Sequence, residues 1–306
     1  MTLMIQKSFA GIGALLFASS ISAMAEEQSF KIRFVAEMAG QPFACEQEYS
    51  NLGTQKVPVK GSDFRVYVSE FELLKNDGTR VPLNLDQDGT WQYRNVALLD
   101  FENGTANCSN GTPELRDFVS GSAAKGIYKG LSFKVGVPFE LNHNDPTLAP
   151  SPLNLTSMFW TWQGGYKFVK IDLSVVGAAM KSGDASHAPS MAAVNDKQRS
   201  LVHSPIFSIH LGSTMCQSAS RTTAPTACAN GNRIQVNFEA FDPEKNVIVF
   251  DPAPVLAGSN LQMNTSETSP GCMSFPNDPE CNTIMPKLGF SYAGYAAEAQ
   301  AFIRSR

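Results

Sequence analysis

Four histidines, His143, His187, His203 and His210, are the only imidazoles in a chain of 306 residues. Two of them stand where a binding group would stand. His143 lies in Pro138-Phe139-Glu140-Leu141-Asn142-His143-Asn144-Asp145-Pro146, after a strand-like run and before a proline-rich loop. That is the rim of a sheet, where loops gather binding groups. His210 alternates with Ile206 and Ser208 along one strand face. An imidazole turned inward there among apolar residues needs a partner, a hydrogen bond or a metal. His203 is a less well placed substitute ligand, and His187 sits in a polar loop where solvation is expected. Between His143 and His203 runs Met158-Phe159-Trp160-Thr161-Trp162-Gln163-Gly164-Gly165-Tyr166-Lys167-Phe168. On a strand Met158, Trp160 and Trp162 would share one face, a soft surface of thioether and indoles. By period alone the same residues would serve as ordinary sandwich core.

Catalytic signatures are missing. The chain has no H-E-x-x-H, no G-x-S-x-G elbow and no phosphate-binding P-loop. Nor do its 28 acidic residues form a pair that spacing marks as acid and base. Binding is therefore expected rather than catalysis. With 24 Lys and Arg against those 28 acids and no basic run, the sequence offers no footprint for nucleic acid or for an anionic membrane surface.

The N-terminus speaks to compartment. Lys7 precedes an apolar, small-residue run from Phe9 to Ile21, and Ala23-Met24-Ala25 follows. This is the pattern of a cleavable secretory signal, so residues 1–25 are read as a signal peptide and 26–306 as the mature chain. The run falls short of the roughly 20 apolar residues that span a bilayer, and no membrane insertion is expected after its removal. The mature part carries Cys45, Cys108, Cys216, Cys228, Cys272 and Cys281. An even number in a secreted chain reads as disulfides. Loop economy favours Cys216–Cys228 and Cys272–Cys281, leaving Cys45–Cys108. No C-x-x-C occurs, so a thiolate metal site is not expected.

The elements that must position these groups are strands. Phe30, Ile32 and Phe34 alternate with Lys31 and Arg33, and Leu131, Phe133 and Val135 repeat the period, as do Ile234, Val236 and Phe238. Phe64, Val66 and Val68 pass to Phe71 and Leu73 after a one-residue slip that predicts a bulge. Asn76-Asp77-Gly78 predicts a hairpin turn. Pro113 to Val119 is expected to hold a short helix, Tyr295 to Ile303 a helical or frayed end, and 181–200 and 260–286 long loops. The fold class is all-β: one antiparallel β-sandwich domain with long loops, stapled by disulfides, with a disulfide-held C-terminal extension.

The stretches around His143, the W-x-W-x-x-G-Y-K-F segment, and His210-Leu211-Gly212-Ser213 with Cys216 together resemble the MbnP-like family. These are the four-Cys proteins of the metallo-mystery pair system. The resemblance runs from about Phe30 to Leu288, and this chain has six cysteines where the family name advertises four. It implies a periplasmic copper-binding protein paired with a dihaem cytochrome c peroxidase-like (MbnH-type) partner that oxidises a tryptophan to kynurenine. Carried residue by residue, the oxidised position is Trp160 or Trp162. The imidazole ligands are His143 and His210, with His203 and Met158 as possible additional ligands. The competing reading is a carbohydrate-binding sandwich that stacks sugars on Trp160, Trp162 and Tyr166.

Overall fold

The computed structural model describes residues 26–161, 163–178, 200–220 and 223–306. The predicted signal peptide, Trp162 and His187 lie outside the described residues. Two sheets make the body. In the smaller, Glu27–Met38 pairs antiparallel with Phe118–Ala124 on one side and parallel with Val247–Phe250 on the other, and Ile303–Ser305 extends that edge. In the larger, the order is Ile234–Phe238, Tyr128–Val135, Val57–Lys75, Gly165–Val175, Ile206–Gly212 and the short Gly271–Cys272. The last of these joins parallel, and the pairings before it are antiparallel. Val96–Asp100 also pairs with the 19-residue strand Val57–Lys75.

That long strand bends at the predicted slip. Between Ser132 and Lys134 its partner register jumps from Glu72 to Ser69, and Glu70 sits at φ 55°. The extra residue restores the inward direction of Phe71 and Leu73, both buried.

Alternating side chains from both sheets meet in an aromatic core. The Phe34 ring lies 5.9 Å from Phe133 and 5.8 Å from Phe250, and Phe71 stacks on Phe133 at 5.2 Å. Such pairs add to the burial of large apolar area, the main favourable term in folding. The three disulfides are Cys45–Cys108, Cys216–Cys228 and Cys272–Cys281, the pairing that loop economy favours.

The helix expected at Pro113–Val119 is absent, and Tyr295–Ile303, expected to be helical or frayed, is not helical. Within Pro113–Val119, Arg116 instead bridges Asp100 through its backbone, and Phe118 opens a strand. A sheet edge with free backbone groups captures the segment, overriding a weak helical preference. At the C-terminus, Phe302 and Ile303 are buried, and the chain closes as the edge strand beside Val247–Phe250. Of the two expected loops, 260–286 is threaded by short strands and 3₁₀ turns. No helix among the described residues is long and apolar enough to cross a membrane.

Candidate metal centre

The site is built on the face of the larger sheet that looks away from the aromatic core. Period two sends Val66, Val169, Ile171, Ile209 and Leu211 inward. Their alternates, Arg65, Lys170, Asp172, Ser208 and His210, fall on the opposite face. Register aligns these alternates across the strands. Lys170 stands between Arg65 and His210, Asp172 between Asp63 and Ser208, and Arg65 beside Asp100. His210 therefore does not turn into the apolar core, as its neighbours in sequence led one to expect. Phe207, Ile209 and Leu211 take that side, and the imidazole is left half-buried on the polar one.

The row is paired. Arg65 grips Asp63 with two donors, Nε at 2.8 Å and Nη2. Lys170 Nζ donates to the same carboxylate at 2.5 Å and lies 3.4 Å from Asp172. His210 Nε2 is 2.7 Å from Asp172 Oδ1. Burial works to raise the Asp172 pKa. The hydrogen bond from His210, together with the charge of Lys170, outweighs it and holds the carboxyl well below the usual range. Asp100 goes the other way. Burial, reinforced by Glu102 and Asp63 against the pull of Arg65, pushes its pKa up to about 8. Burial and the neighbouring Lys170 lower Lys167 to about 8. Desolvation offsets most of the Coulomb gain in such a buried cluster, so its pairing adds little net stability.

Trp160 joins the row from above. It belongs to a three-residue strand, Phe159–Thr161, paired with the start of Gly165–Val175. Its ring lies over Gly212, where an added Cβ would stand only 2.4 Å from the indole. Gly212 is two residues beyond His210, so both project from one face about 7 Å apart along the strand. The far side of the indole meets Phe275 with ring centroids 5.5 Å apart, and Ser274 Oγ donates to the His210 carbonyl at 2.8 Å. The Cys272–Cys281 loop thereby covers this end of the sheet.

His143 lies on a third element, beside the Cys216–Cys228 disulfide. It caps the one-turn helix Phe139–Asn142, is 4 % exposed, and packs against the Phe139 ring. Its Nε2 lies 3.2 Å from Asn142 Nδ2 and 3.4 Å from Cys228 Sγ. Asn142 ties this turn to the tryptophan hairpin. Its Oδ1 accepts the Tyr166 amide at 2.9 Å, and its carbonyl presses on Gly165, at φ 71°. Only glycine fits there, on both counts. The adjacent Gly164 meets the Trp160 ring, an added Cβ standing 3.2 Å from it. The two glycines of the motif thus seat the His143 turn and Trp160 on neighbouring residues.

Other predicted residues fall elsewhere. Met158 does not share a strand with Trp160; it ends a 3₁₀ turn, Thr156–Met158, and is fully buried in a second apolar cluster with Tyr67, Leu98, Leu141 and Tyr166. His203 is exposed on a short strand opposite Met263. Tyr166 is likewise fully buried, its hydroxyl bonded to the Leu153 carbonyl, so it offers no face to a sugar. Among the described residues, two groups of three His, Cys or acidic donors come close together. They are His143 with Cys216 and Cys228, and Glu102 with Cys45 and Cys108. In both the sulfurs are closed as disulfides, so thiolates are not on offer and imidazole nitrogen is the available soft-to-borderline donor. Sequence reasoning missed Asp172, Gly212 and Phe275. Asp172 carried one signal, its alternation with Lys170 in an otherwise apolar strand.

The family model for MbnP matches residues 27–274. No curated protein matches the chain. Among solved structures, MbnP from Methylosinus trichosporium is 30 % identical and superposes with a TM-score of 0.76, over 92 % of this chain and 98 % of that one. Matched over most of its length in both sequence and fold, the chain belongs to the MbnP family, a family of binding proteins and not of enzymes.

Proposed function

We propose that this chain is a periplasmic copper-binding protein that serves copper acquisition or homeostasis. Its site is built from His143, His210 and a kynurenine formed from Trp160, or from its neighbour Trp162. A dihaem cytochrome c peroxidase-like partner carries out that oxidation. The observation that carries the reading is the company Trp160 keeps: its ring lies over Gly212, one same-face step from His210. Intact indole is a poor ligand. Two equivalents of a peroxide-class oxidant, each reduced to water, deliver two oxygen atoms across the C2–C3 bond and break it. A water molecule then hydrolyses the resulting N-formyl group, releasing the C2 carbon as formate. The aryl amine left behind is a neutral nitrogen donor beside an imidazole, a set that suits copper. An oxidising compartment that closes every cysteine as a disulfide favours nitrogen over thiolate ligands.

The test is the mass of the Met158–Lys167 peptide from protein isolated from its own periplasm, with copper measured in the same sample. Kynurenine at Trp160 or Trp162 with bound copper, lost on His143→Ala or His210→Ala, is the expected result. An unmodified peptide and no copper, from cells that express the partner, overturns the reading.

A further inference from the structure

We infer that Asp172 is a positioning residue that fixes the tautomer of His210, holding Nε2 as the protonated nitrogen and leaving Nδ1 as the only lone pair for a metal. The inference rests on the copper-site reading and adds to it the atom through which His210 acts.

The geometry is specific. Asp172 Oδ1 and His210 Nε2 are 2.7 Å apart, with the two side chains 25 % and 12 % exposed. A carboxylate accepts hydrogen bonds and donates none, so the imidazole nitrogen facing it must carry the hydrogen. The carboxylate is itself held. Its second oxygen lies 3.4 Å from Lys170 Nζ, and Lys170 is anchored at 2.5 Å to Asp63, which Arg65 grips in turn. The chain Arg65–Asp63–Lys170–Asp172–His210 thus ends on one ring nitrogen.

Register gives the arrangement its direction. Asp172 opposes Ser208, on one side of His210 along its strand. Trp160 covers Gly212, on the other side. His210 stands between its carboxylate anchor and the indole. A histidine ligand that gives its second N–H to a carboxylate is fixed in ring orientation and made more basic. Loss of such a partner costs 10- to 100-fold in metal affinity as a rule.

The test uses the mature chain. In the metal-free, ¹⁵N-labelled protein, long-range ¹H–¹⁵N correlation should show His210 protonated at Nε2 and bare at Nδ1. In Asp172→Asn the amide can donate to Nε2, so the Nδ1–H tautomer should appear while the fold, read by near-ultraviolet circular dichroism, persists. A purely structural role would not move that signal. Copper(I) affinity of the natively modified protein, measured against a competing chelator, should fall at least about tenfold in Asp172→Asn. A wild-type His210 protonated at Nδ1 overturns the inference. So does an Asp172→Asn protein that binds copper as tightly as the wild type while His210→Ala does not. If His210→Ala keeps full copper affinity while wild-type His210 shows the Nε2–H tautomer, the copper-site reading is what fails, and the purpose assigned to the pair fails with it.

Discussion

The two faces of the larger sheet come from the same strands, yet they are built on opposite principles. The inner face is dry and aromatic: its Phe71 and Phe133 stack on each other and meet Phe34 of the smaller sheet edge-to-face. The outer face buries Asp63, Arg65, Asp100 and Lys170 in a cross-strand row. Close-packed rings stabilise in proportion to the area they remove from water. Buried ions return little net stability even when well paired. One face serves stability, and the other, which holds costly charge next to an indole and an imidazole, is where the proposed site lies.

That contrast can be broken from either side. The largest effect is expected on the dry face. Phe133→Ala removes a fully buried ring and should cost about 4 kcal/mol, read as a lower denaturant midpoint, with copper stoichiometry per folded chain unchanged. A stability loss of less than about 1 kcal/mol would show that this cluster is not the folding core. Next comes the charged face. Arg65→Met leaves Asp63 with Lys170 alone and should destabilise by about 3 kcal/mol. Unlike the first variant, it should also disturb the His210 environment, visible as a shifted imidazole resonance. If the resonance stays put, the ion chain does not reach the site.

The smallest effect, taken per pH unit, concerns pH. The folded-state pKa of Asp100, about 8, lies above its ordinary value of 3.8, so the folded protein favours the neutral acid. Its contribution is complete below the lower value and is lost as pH rises through the higher one. Stability should fall by at most about 1.4 kcal/mol per pH unit in that window, and Asp100→Asn should flatten the slope. Denaturation at about pH 5 and pH 8 in both proteins decides it. An equal slope in the variant would assign the dependence to other carboxylates.

Much of the fold was legible because period two is a local property. Phe30, Ile32 and Phe34, or Leu131, Phe133 and Val135, announce their inner face without reference to any partner, and the slip before Phe71 announced the bulge. The helix expected at Pro113–Val119 failed for the complementary reason. The segment meets a sheet edge, which local preference cannot see. At the site, the motif pointed to Trp160 or Trp162, and to His143 and His210, but not to what surrounds them.

The sequence by itself determined the strand-rich class and the short list of chemically capable residues, and it favoured the disulfide pairing without deciding it. Each of these follows from residue type, spacing or loop length. Tertiary structure decided which way His210 faces, that Asp172 rather than a core neighbour is its partner, and that Met158 belongs to the packing. It also decided that Trp160 lies over Gly212. These are matters of register between strands that sit far apart in the chain. A shift of one residue in pairing would exchange the two faces of a strand, and no local pattern encodes which strand lies alongside.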